Sequence, residues 1–519
     1  MINESTSTGD ETETKMDAIE ASSRSSSLRR THGSGDLEKA KVDAVSSEPL
    51  RRTITAQDWN GPDDPENPLN WSLMKKAYHT AATACLGFAV TCGSSLITPA
   101  TPEIAEQFNV SRTASILALS LYVLGLGLGP MIAAPISEMY GRSVVYKVSS
   151  CVFMLFILGA GFSKSFGALL VCRLLAGILG GPVLAVGAGT NADMYTSKSR
   201  AIASSLFIMM PFLGPALGPV IGGFAAQFRG WRWTQWCTLF IALAVTAMVM
   251  FMSETYKKII LIRRAKRLNI AAPQQNSPTG LAAVKMLMTI TLIRPLNMLA
   301  TEPTVFLFSL YTAFTFSVLF GFFAAYPYTF QNVYGFNTWQ YGLTFLGIGL
   351  GVVLAVVTNI LVDKLYYAKH HARILKEGRT AVPPEYRLMC AQMGCFGIPI
   401  GLFWFAWSAR SDVHWISPVL AGIPFAWGNL CIFLSAALYF IDTYGPLNGA
   451  SAMAANGVAR YTLGAAFPLF TFQMYSRLGI AWATSLFGFI SVAMVPIPWL
   501  FYKYGERIRA KSRYDTVKF

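Results

Sequence analysis

Charged residues are scarce in this 519-residue chain, and their scarcity decides its class. Asp, Glu, Lys and Arg make up 13% of the residues, whereas 53% are hydrophobic and the mean hydropathy is +0.43. Soluble globular proteins carry about 25% charged residues, so this composition excludes a soluble multidomain protein. The chain is predicted to cross a membrane many times.

Histidine and cysteine are also few, with five and eight residues, and their spacing does not suggest a metal site. Six of the cysteines fall inside apolar stretches, where we interpret them as small membrane-embedded residues. These six are Cys85, Cys92, Cys151, Cys172, Cys237 and Cys431. The sequence also shows no nucleophile–base pair and no phosphate-binding loop. It therefore predicts neither an enzyme nor a bound metal or cofactor.

The net charge of +15 comes from loops and tails rather than from one basic domain. If the N-terminus is placed inside, most Lys and Arg residues near the membrane fall on the inner side, as the positive-inside rule requires. Both termini are therefore predicted to face the cytoplasm. The same distribution argues against a nucleic-acid partner, because the chain has no separate basic surface for one.

Twelve apolar stretches of roughly 20 residues have the length that a bilayer core requires. They are 77–98, 114–136, 144–162, 167–190, 202–226, 233–252, 305–330, 341–362, 390–410, 415–440, 449–474 and 480–502. We predict an all-α fold with six-helix bundles at 77–252 and 305–502, joined by a basic cytoplasmic linker at 253–304. Residues 1–76 are predicted to form a disordered cytoplasmic tail, and residues 503–519 a basic one.

The stretch from Met210 to Phe224 combines two regular patterns inside the fifth span. Glycines recur every four residues and so share one helix face, while prolines keep the same step on a neighbouring face. The glycines are Gly214, Gly218 and Gly222, and the prolines are Pro211, Pro215 and Pro219. A glycine stripe lets another helix approach closely, and each proline removes a backbone donor. We predict a bent helix at a moving interface; a generic packing face is the alternative.

This stretch resembles the GxxxGPxxGG signature in the fifth helix of drug:proton antiporters of the major facilitator superfamily. The matching residues are Gly214, Gly218, Pro219, Gly222 and Gly223, with Pro215 in addition. Asn67-Pro-Leu-Asn-Trp71 and Gly230-Trp-Arg-Trp233 resemble segments of the fungal members of that family. The resemblance implies the major facilitator fold, with two six-helix bundles around a central cavity, alternating access, and export driven by inward proton flow.

Arg173 lies about two turns inside the fourth span, where a charge must face a partner or a cavity. Four-residue steps place it on one face with Gly177 and Gly181. One interpretation is a residue that faces the central cavity, and the other is a structural arginine bonded to backbone carbonyls. Arg173 also matches the RxxxG core of the family's fourth-helix motif, which the resemblance links to proton coupling.

Glu138, Gly141 and Arg142 follow the second span and resemble the superfamily's signature between helices two and three. Asp193 ends the fourth span on the same predicted side of the membrane. An arginine between two carboxylates can form a cytoplasmic gate that holds one conformation closed and opens in the other. Three ordinary interfacial charges are the alternative interpretation.

The second half repeats part of this pattern, because Asp-x-Tyr ends both the fourth span, at Asp193, and the tenth span, at Asp442. Asp363 after the eighth span likewise corresponds to Glu138 after the second. Internal repeats of this type are typical of transporters. Arg460 lies within the eleventh span and is predicted to pair with Asp442 at the inner gate of the second half.

The middles of the predicted spans contain no Asp, Glu, Lys or His. Among the acids at helix ends, Asp193 is the leading candidate for the proton carrier and Glu103 is the second. A cavity without buried carboxylates does not favour a polycation, whereas aromatic and amide side chains suit a bulky apolar ligand. We predict a substrate cavity from four residues of the seventh and tenth spans: Phe322, Tyr326, Trp427 and Asn429. Aromatic residues that face lipid are the alternative for at least half of those in these spans.

We therefore predict a secondary active transporter that exports small amphipathic or apolar compounds by proton antiport, with the proton gradient in place of a cofactor. A polyamine or other dedicated metabolite exporter is the runner-up, and a non-transporting receptor or scaffold is the alternative from another class. The expected partners are a small-molecule substrate, protons and the lipid bilayer, and the chain is expected to be a monomer. The plasma membrane is the expected location, with the vacuolar membrane as the alternative. Asn109, in Asn109-Val-Ser111, is the one glycosylation site predicted outside.

Overall fold

The computed structural model describes residues 58–271, 289–377, 382–514 and 516, and helices form most of this part of the chain. No β-strand occurs among the described residues. Most of the predicted disordered tail and the middle of the predicted linker lie outside them. Helices dominate because apolar spans surrounded by lipid must bond their backbone groups internally.

Eleven helices of the described chain are long and apolar enough to cross a membrane. They are α1 (Leu73–Gln107), α2 (Arg112–Tyr140), α3 (Arg142–Gly161), α4 (Phe166–Met194), α5 (Ser199–Arg229), α6 (Trp231–Met250), α7 (Pro303–Tyr334), α8 (Thr338–Ile374), α9 (Pro384–Ser408), α10 (Ile416–Gly445) and a last one at Asn448–Ala510. Each overlaps a predicted span, and the last overlaps two. A short amphipathic helix after α6, Lys257–Leu268, is called the linker helix below.

The last helix is two spans joined at Gly479. It has 63 residues, which at about 1.5 Å per residue would reach roughly three times the thickness of a bilayer core. Gly479 has a φ of 75°, which favours glycine, and breaks the helix. The hydroxyl oxygens of Tyr475 and Thr484 lie only 2.6 Å apart, so the chain reverses between them. The two arms, 448–478 and 480–510, are α11 and α12, and the twelve predicted spans are confirmed.

The glycine stripe of α5 packs against α1 of the same half. A Cβ added at Gly214 would lie 2.1 Å from Thr91 Oγ1, and one added at Gly222 would lie 2.0 Å from the carbonyl oxygen of Leu96. Side chains cannot approach that closely, so the two helices meet here only because these residues are glycines. The predicted close approach is confirmed. Gly223 instead faces α8 of the second half.

The proline side of α5 forms part of the interface between the halves. Pro211 and Pro215 line the central cavity described below, and the helix stays continuous through all three prolines. A Cβ added at Gly342 of α8 would lie 2.5 Å from the carbonyl oxygen of Pro219. The helix therefore lies at the interface between the halves as predicted, although its glycine stripe contacts α1 within one bundle. That this interface moves stays a prediction.

Residues 58–72, predicted as the end of a disordered tail, are folded and contact the linker helix. Arg264 and Asp64 are both buried, and Arg264 Nη2 donates to Asp64 Oδ2 over 2.8 Å. Arg264 Nε donates to Glu66 Oε2 over 2.6 Å. Burial alone raises the pKa of Asp64, but hydrogen bonds from the backbone of Asn60 and Glu66 and from Arg264 bring it below its ordinary value of 3.8. The disorder prediction is wrong for this segment, because the arginine that pairs with its acids lies about 200 residues away in the chain.

Replacing Arg264 with glutamine is expected to release this segment, because Asp64 would stay buried without its charged partner. Backbone hydrogen exchange of residues 58–72, followed by mass spectrometry, should become about 10- to 100-fold faster. Lys266→Gln is the matched control, since Lys266 is exposed on the same helix and its loss should leave the exchange unchanged. Equal exchange rates in the two variants would contradict the docking role of Arg264.

Candidate functional site

A cavity of about 60 Å³ lies between the two halves of the molecule. Residues of α1, α2, α4 and α5 line it from one side, and residues of α7, α10 and α11 line it from the other. Its wall is mostly apolar and rich in aromatic rings, among them Phe207, Phe212, Phe316, Phe320, Phe433 and Tyr461. Arg460 is the one charged side chain among the lining residues. The site is therefore an aromatic chamber with a single positive charge.

Arg460 is held by aromatic rings rather than by an acid. Its guanidinium carbon lies 4.3 Å from the ring centre of Phe433, 4.9 Å from that of Phe316 and 5.0 Å from that of Tyr461. Such cation–π contacts stabilise a positive charge that is buried away from water. The predicted pairing of Arg460 with Asp442 is wrong, because α11 carries Arg460 to the cavity while Asp442 stays at the helix end.

Arg173, in contrast, is bonded to backbone carbonyls, which was one of the two interpretations from the sequence. It is fully buried, and its three nitrogens donate to the carbonyls of Ala118, Gly93 and Ser94 over 3.0, 2.8 and 2.9 Å. Ala118 belongs to α2, whereas Gly93 and Ser94 belong to α1. Arg173 does not line the cavity in this conformation, so the prediction that it faces the cavity is wrong here.

The four predicted substrate residues lie elsewhere in the second half. Tyr326 stacks on Phe405 with ring centres 5.2 Å apart, and Phe322 packs in the same aromatic cluster. Asn429 Oδ1 accepts a hydrogen bond from Thr315, and Trp427 Nε1 donates to Thr358 Oγ1; both bonds measure 3.0 Å. None of the four is among the residues that line the cavities, so this prediction is wrong.

The rotation of α7 explains the error. A helix turns by about 100° per residue, so Phe316, Phe320 and Phe323 share one face, which is turned toward the other half. Phe322 and Tyr326 lie roughly 80–120° away from Phe316 and face the interior of their own bundle. The span is so uniformly apolar that its sequence contains no signal for this rotation.

The residues predicted to form the first-half gate include one ion pair, which joins α3 and α4. Arg142 Nε donates to Asp193 Oδ2 over 2.5 Å, and both side chains are mostly buried. Glu138, predicted as the third member, is exposed and forms no ion pair within the described chain. Its charge acts on Arg142 from nearby without a direct ion pair, so its place in the gate stays a prediction, while the contact between Arg142 and Asp193 agrees with the predicted arrangement.

Glu254 is the carboxylate that sequence reasoning missed. It is buried beside the gate, and its oxygens accept hydrogen bonds from the backbone N–H groups of Arg142 and Ser143, over 2.9 and 3.2 Å, where α3 begins. Gly141 has a φ of 104°, and a Cβ there would lie 2.3 Å from Glu254 Oε2, so both its backbone and its contacts favour glycine. The available signal was an acid directly after the sixth span.

The other half contains a matching cluster of charged residues, which is called the predicted second gate below. Arg387, at the start of α9, donates to Asp363 at the end of the apolar part of α8 and to Asp442 near the end of α10, each over 2.9 Å. The Tyr367 ring lies 3.5 Å from its guanidinium carbon. Arg142 and Asp193 occupy the corresponding helix ends in the first half. The partner of Asp442 is therefore Arg387, which follows a basic loop in the sequence.

A smaller cavity, of about 30 Å³, lies between the halves toward the opposite end of the molecule. Its lining includes Thr98, Gln331 and Tyr341, and its one charged side chain is Arg112. The guanidinium carbon of Arg112 lies 4.0 Å from the ring centre of Phe472. Both cavities therefore combine one arginine with aromatic rings.

The remaining predicted residues lie at the end of the molecule away from the gates. Glu103 is exposed, and its carboxylate lies beside Gly230, where α5 ends. Asn109 is exposed in the turn between α1 and α2. The alternative proton carrier and the predicted glycosylation site are thus on the side that the charge pattern assigns to the outside.

Comparison with known proteins identifies the family. Residues 83–468 match the description "Major Facilitator Superfamily". The chain is 42% identical to polyamine transporter 4 of Saccharomyces cerevisiae over 88% of this chain and 73% of that protein. It is 38% identical to the MFS-type transporter traF of Penicillium crustosum, over 91% and 96%, and 34% identical to the efflux pump radE of Floropilus chiversii, over 96% and 93%.

These matches cover most of the chain and agree with the architecture described above. The helical halves, the cavity between them and the matching ion-pair clusters suit a transporter, and the relatives named here are all named as transporters or efflux pumps. The chain is a multi-pass membrane transporter that belongs to the major facilitator superfamily and, within it, to the fungal drug-efflux family.

Proposed function

We propose that the chain exports small amphipathic or apolar compounds, among them drugs, antifungals and secondary metabolites, across the plasma membrane by proton antiport. The observation that carries this proposal is the cavity between the halves, with its mostly aromatic and aliphatic wall. Cavities of this chemistry hold bulky apolar ligands. Two relatives that are named efflux pumps support export as the direction of transport.

Alternating access follows from the size of the cavity and from the contacts around it. Its volume of about 60 Å³ is well below the roughly 300–1,000 Å³ of drug-sized pockets, so the halves must separate to admit substrate. Asn359 Nδ2 donates to Ser205 Oγ over 2.9 Å on the gate side, and the Thr338 N–H donates to Gln227 Oε1 over 3.2 Å on the other. Single neutral hydrogen bonds of this kind contribute about 1 kcal/mol each, which allows either end to open.

Asp193 is proposed as the proton carrier because its charge holds the first-half gate. The carboxylate binds Arg142 over 2.5 Å and accepts a hydrogen bond from Thr255 Oγ1 over 3.3 Å. A proton on Asp193 would remove the negative charge that Arg142 binds, and the contact between α3 and α4 would weaken. Proton binding would thus loosen the gate, which is the coupling that an antiporter requires.

Two alternatives are weaker. Polyamine export is suggested by the name of one relative, but a polycation needs carboxylates and the cavity lining contains none. A receptor or scaffold that transports nothing would need neither a cavity between the halves nor a pair of matching gates. We therefore prefer export of apolar compounds.

The test is accumulation of fluorescent and antifungal compounds, with spermidine as the polyamine, in cells that lack their own pumps. The intact chain should lower accumulation of the apolar compounds, and a protonophore should abolish the difference from empty vector. Asp193→Asn should lose export, whereas Glu506→Gln, the matched control at an exposed carboxylate of α12, should keep it. Export of spermidine alone would favour the polyamine alternative, and export unaffected by the protonophore would exclude proton antiport.

A further inference from the structure

The two arginines inside the membrane-spanning region differ in how they are satisfied. Arg173 donates to three backbone carbonyls. Arg460 is only 8% exposed, and its Nε has no hydrogen-bond partner in the described chain. The acid predicted to neutralise Arg460, Asp442, binds Arg387 instead. Arg460 is therefore a buried charge whose hydrogen-bonding capacity is left open at the wall of the central cavity.

The rings around Arg460 stabilise its positive charge but do not accept hydrogen bonds from its N–H groups in the plane of the guanidinium. Cation–π contacts with Phe316, Phe433 and Tyr461 act on the faces of those rings and offset some of the cost of burying the charge. A guanidinium also has five N–H donors in its own plane, and these need acceptors. A buried charge without acceptors is costly, so a ligand that brings its own acceptors would gain much from this position.

We infer that Arg460 binds an acidic group of the transported compound, and that the substrates of the central cavity are amphipathic anions. Their chemical class is one carboxylate, sulfonate or phosphate group on an aromatic or apolar body. The planar guanidinium can bind such a group through two parallel hydrogen bonds, while the surrounding rings hold the apolar body. The inference rests on the proposed function, because it takes the central cavity as the substrate site.

The second cavity supports this inference independently. Its lining also holds a single charge, Arg112, beside an aromatic ring, and no acid. An anion that leaves the central cavity toward the predicted outside would meet a second arginine on the same interface between the halves. A polycation would meet positive charge at both places, so the two cavities together disfavour polyamines.

The experiment compares three probes that share one ring system: 1-naphthoate, 1-naphthamide and 1-naphthylmethylamine. Binding to the purified full-length chain in lipid nanodiscs is measured by equilibrium dialysis. Naphthoate should bind most tightly and the amine least. Arg460→Met should weaken naphthoate binding about 10- to 100-fold, because it removes charge-assisted hydrogen bonds, and should change naphthamide binding by less than about 2-fold. Arg460→Lys should recover part of the loss.

Arg477→Met is the matched control, since Arg477 is an exposed arginine of the same helix and its loss should leave all three affinities unchanged. Thermal unfolding of each variant verifies that it is folded. Equal affinities for naphthoate and naphthamide, or equal losses of both in Arg460→Met, would overturn the inference. Naphthoate binding that depends on Arg460, in a chain that exports none of the tested compounds, would support the inference and overturn the proposed function. Export of neutral compounds without any preference for acids would support the proposed function and overturn the inference.

Discussion

Replacing Arg387 with alanine is expected to destabilise the protein by about 2–4 kcal/mol, which is close to the loss of a buried ion-pair partner but reduced by partial exposure to water. Arg387 lies between Asp363 and Asp442, whose side chains are 18% and 29% exposed. Without it, two carboxylates would face each other with no positive charge between them. The unfolding midpoint of the purified protein in nanodiscs should fall, and the second half should lose its closed gate.

Arg373→Ala is the matched control for this prediction. Arg373 forms an ion pair with Glu377, but these side chains are 76% and 50% exposed. An exposed pair of this kind contributes about 0–1 kcal/mol, so the midpoint should barely move. Adding Asp363→Asn to Arg387→Ala should recover part of the lost stability, because it removes the repulsion between the two acids. Equal midpoints for the two single variants would contradict the central role of Arg387.

The features predictable from the sequence were those with a period or a local motif. Hydropathy located the twelve spans, because lipid imposes a length on every crossing. The four-residue step of glycines such as Gly222 predicted a close helix contact, because glycines at this spacing share one helix face and let another helix approach. The motif at Gly141 and Arg142 pointed to the gate for the same reason: its residues are adjacent in the chain.

The errors concern residues whose partners are distant in the chain. Glu254 follows the sixth apolar span, and Arg387 follows a basic loop. Charged residues are common at both kinds of position, so the sequence did not mark either one as part of a gate. Arg460 was assigned to the nearest acid in sequence, Asp442, although the helix between them carries it away from that acid. The rotation of α7 about its axis decides whether Phe316 or Phe322 meets the cavity, and only packing against neighbouring helices sets that rotation.

The second large effect is expected from one methyl group on α5. In Gly222→Ala the new Cβ would lie 2.0 Å from the carbonyl oxygen of Leu96 and 3.2 Å from its Cα. Backbone atoms cannot rotate aside, so α1 and α5 would have to separate along their contact. Overpacking of this kind costs about 1–3 kcal/mol and sometimes more; we expect the upper end here. Size-exclusion chromatography of a fluorescent fusion should show a large loss of monodisperse protein.

Gly457→Ala is the same substitution in another membrane helix, and it is expected to do no harm. A Cβ added there meets nothing within 4 Å, and alanine favours a helix over glycine by up to about 1 kcal/mol. Gly218→Ala should fall between the two, because its new Cβ would meet chiefly the side-chain oxygen of Ser95, which can rotate away, and would lie 3.0 Å from the carbonyl oxygen of Cys92. This order depends on which atom each methyl group meets, and not on glycine content or hydropathy. If Gly222→Ala and Gly457→Ala gave equal yields, the contact between α1 and α5 would not be limited by their backbones, and the glycine stripe would be a sequence pattern without a packing role.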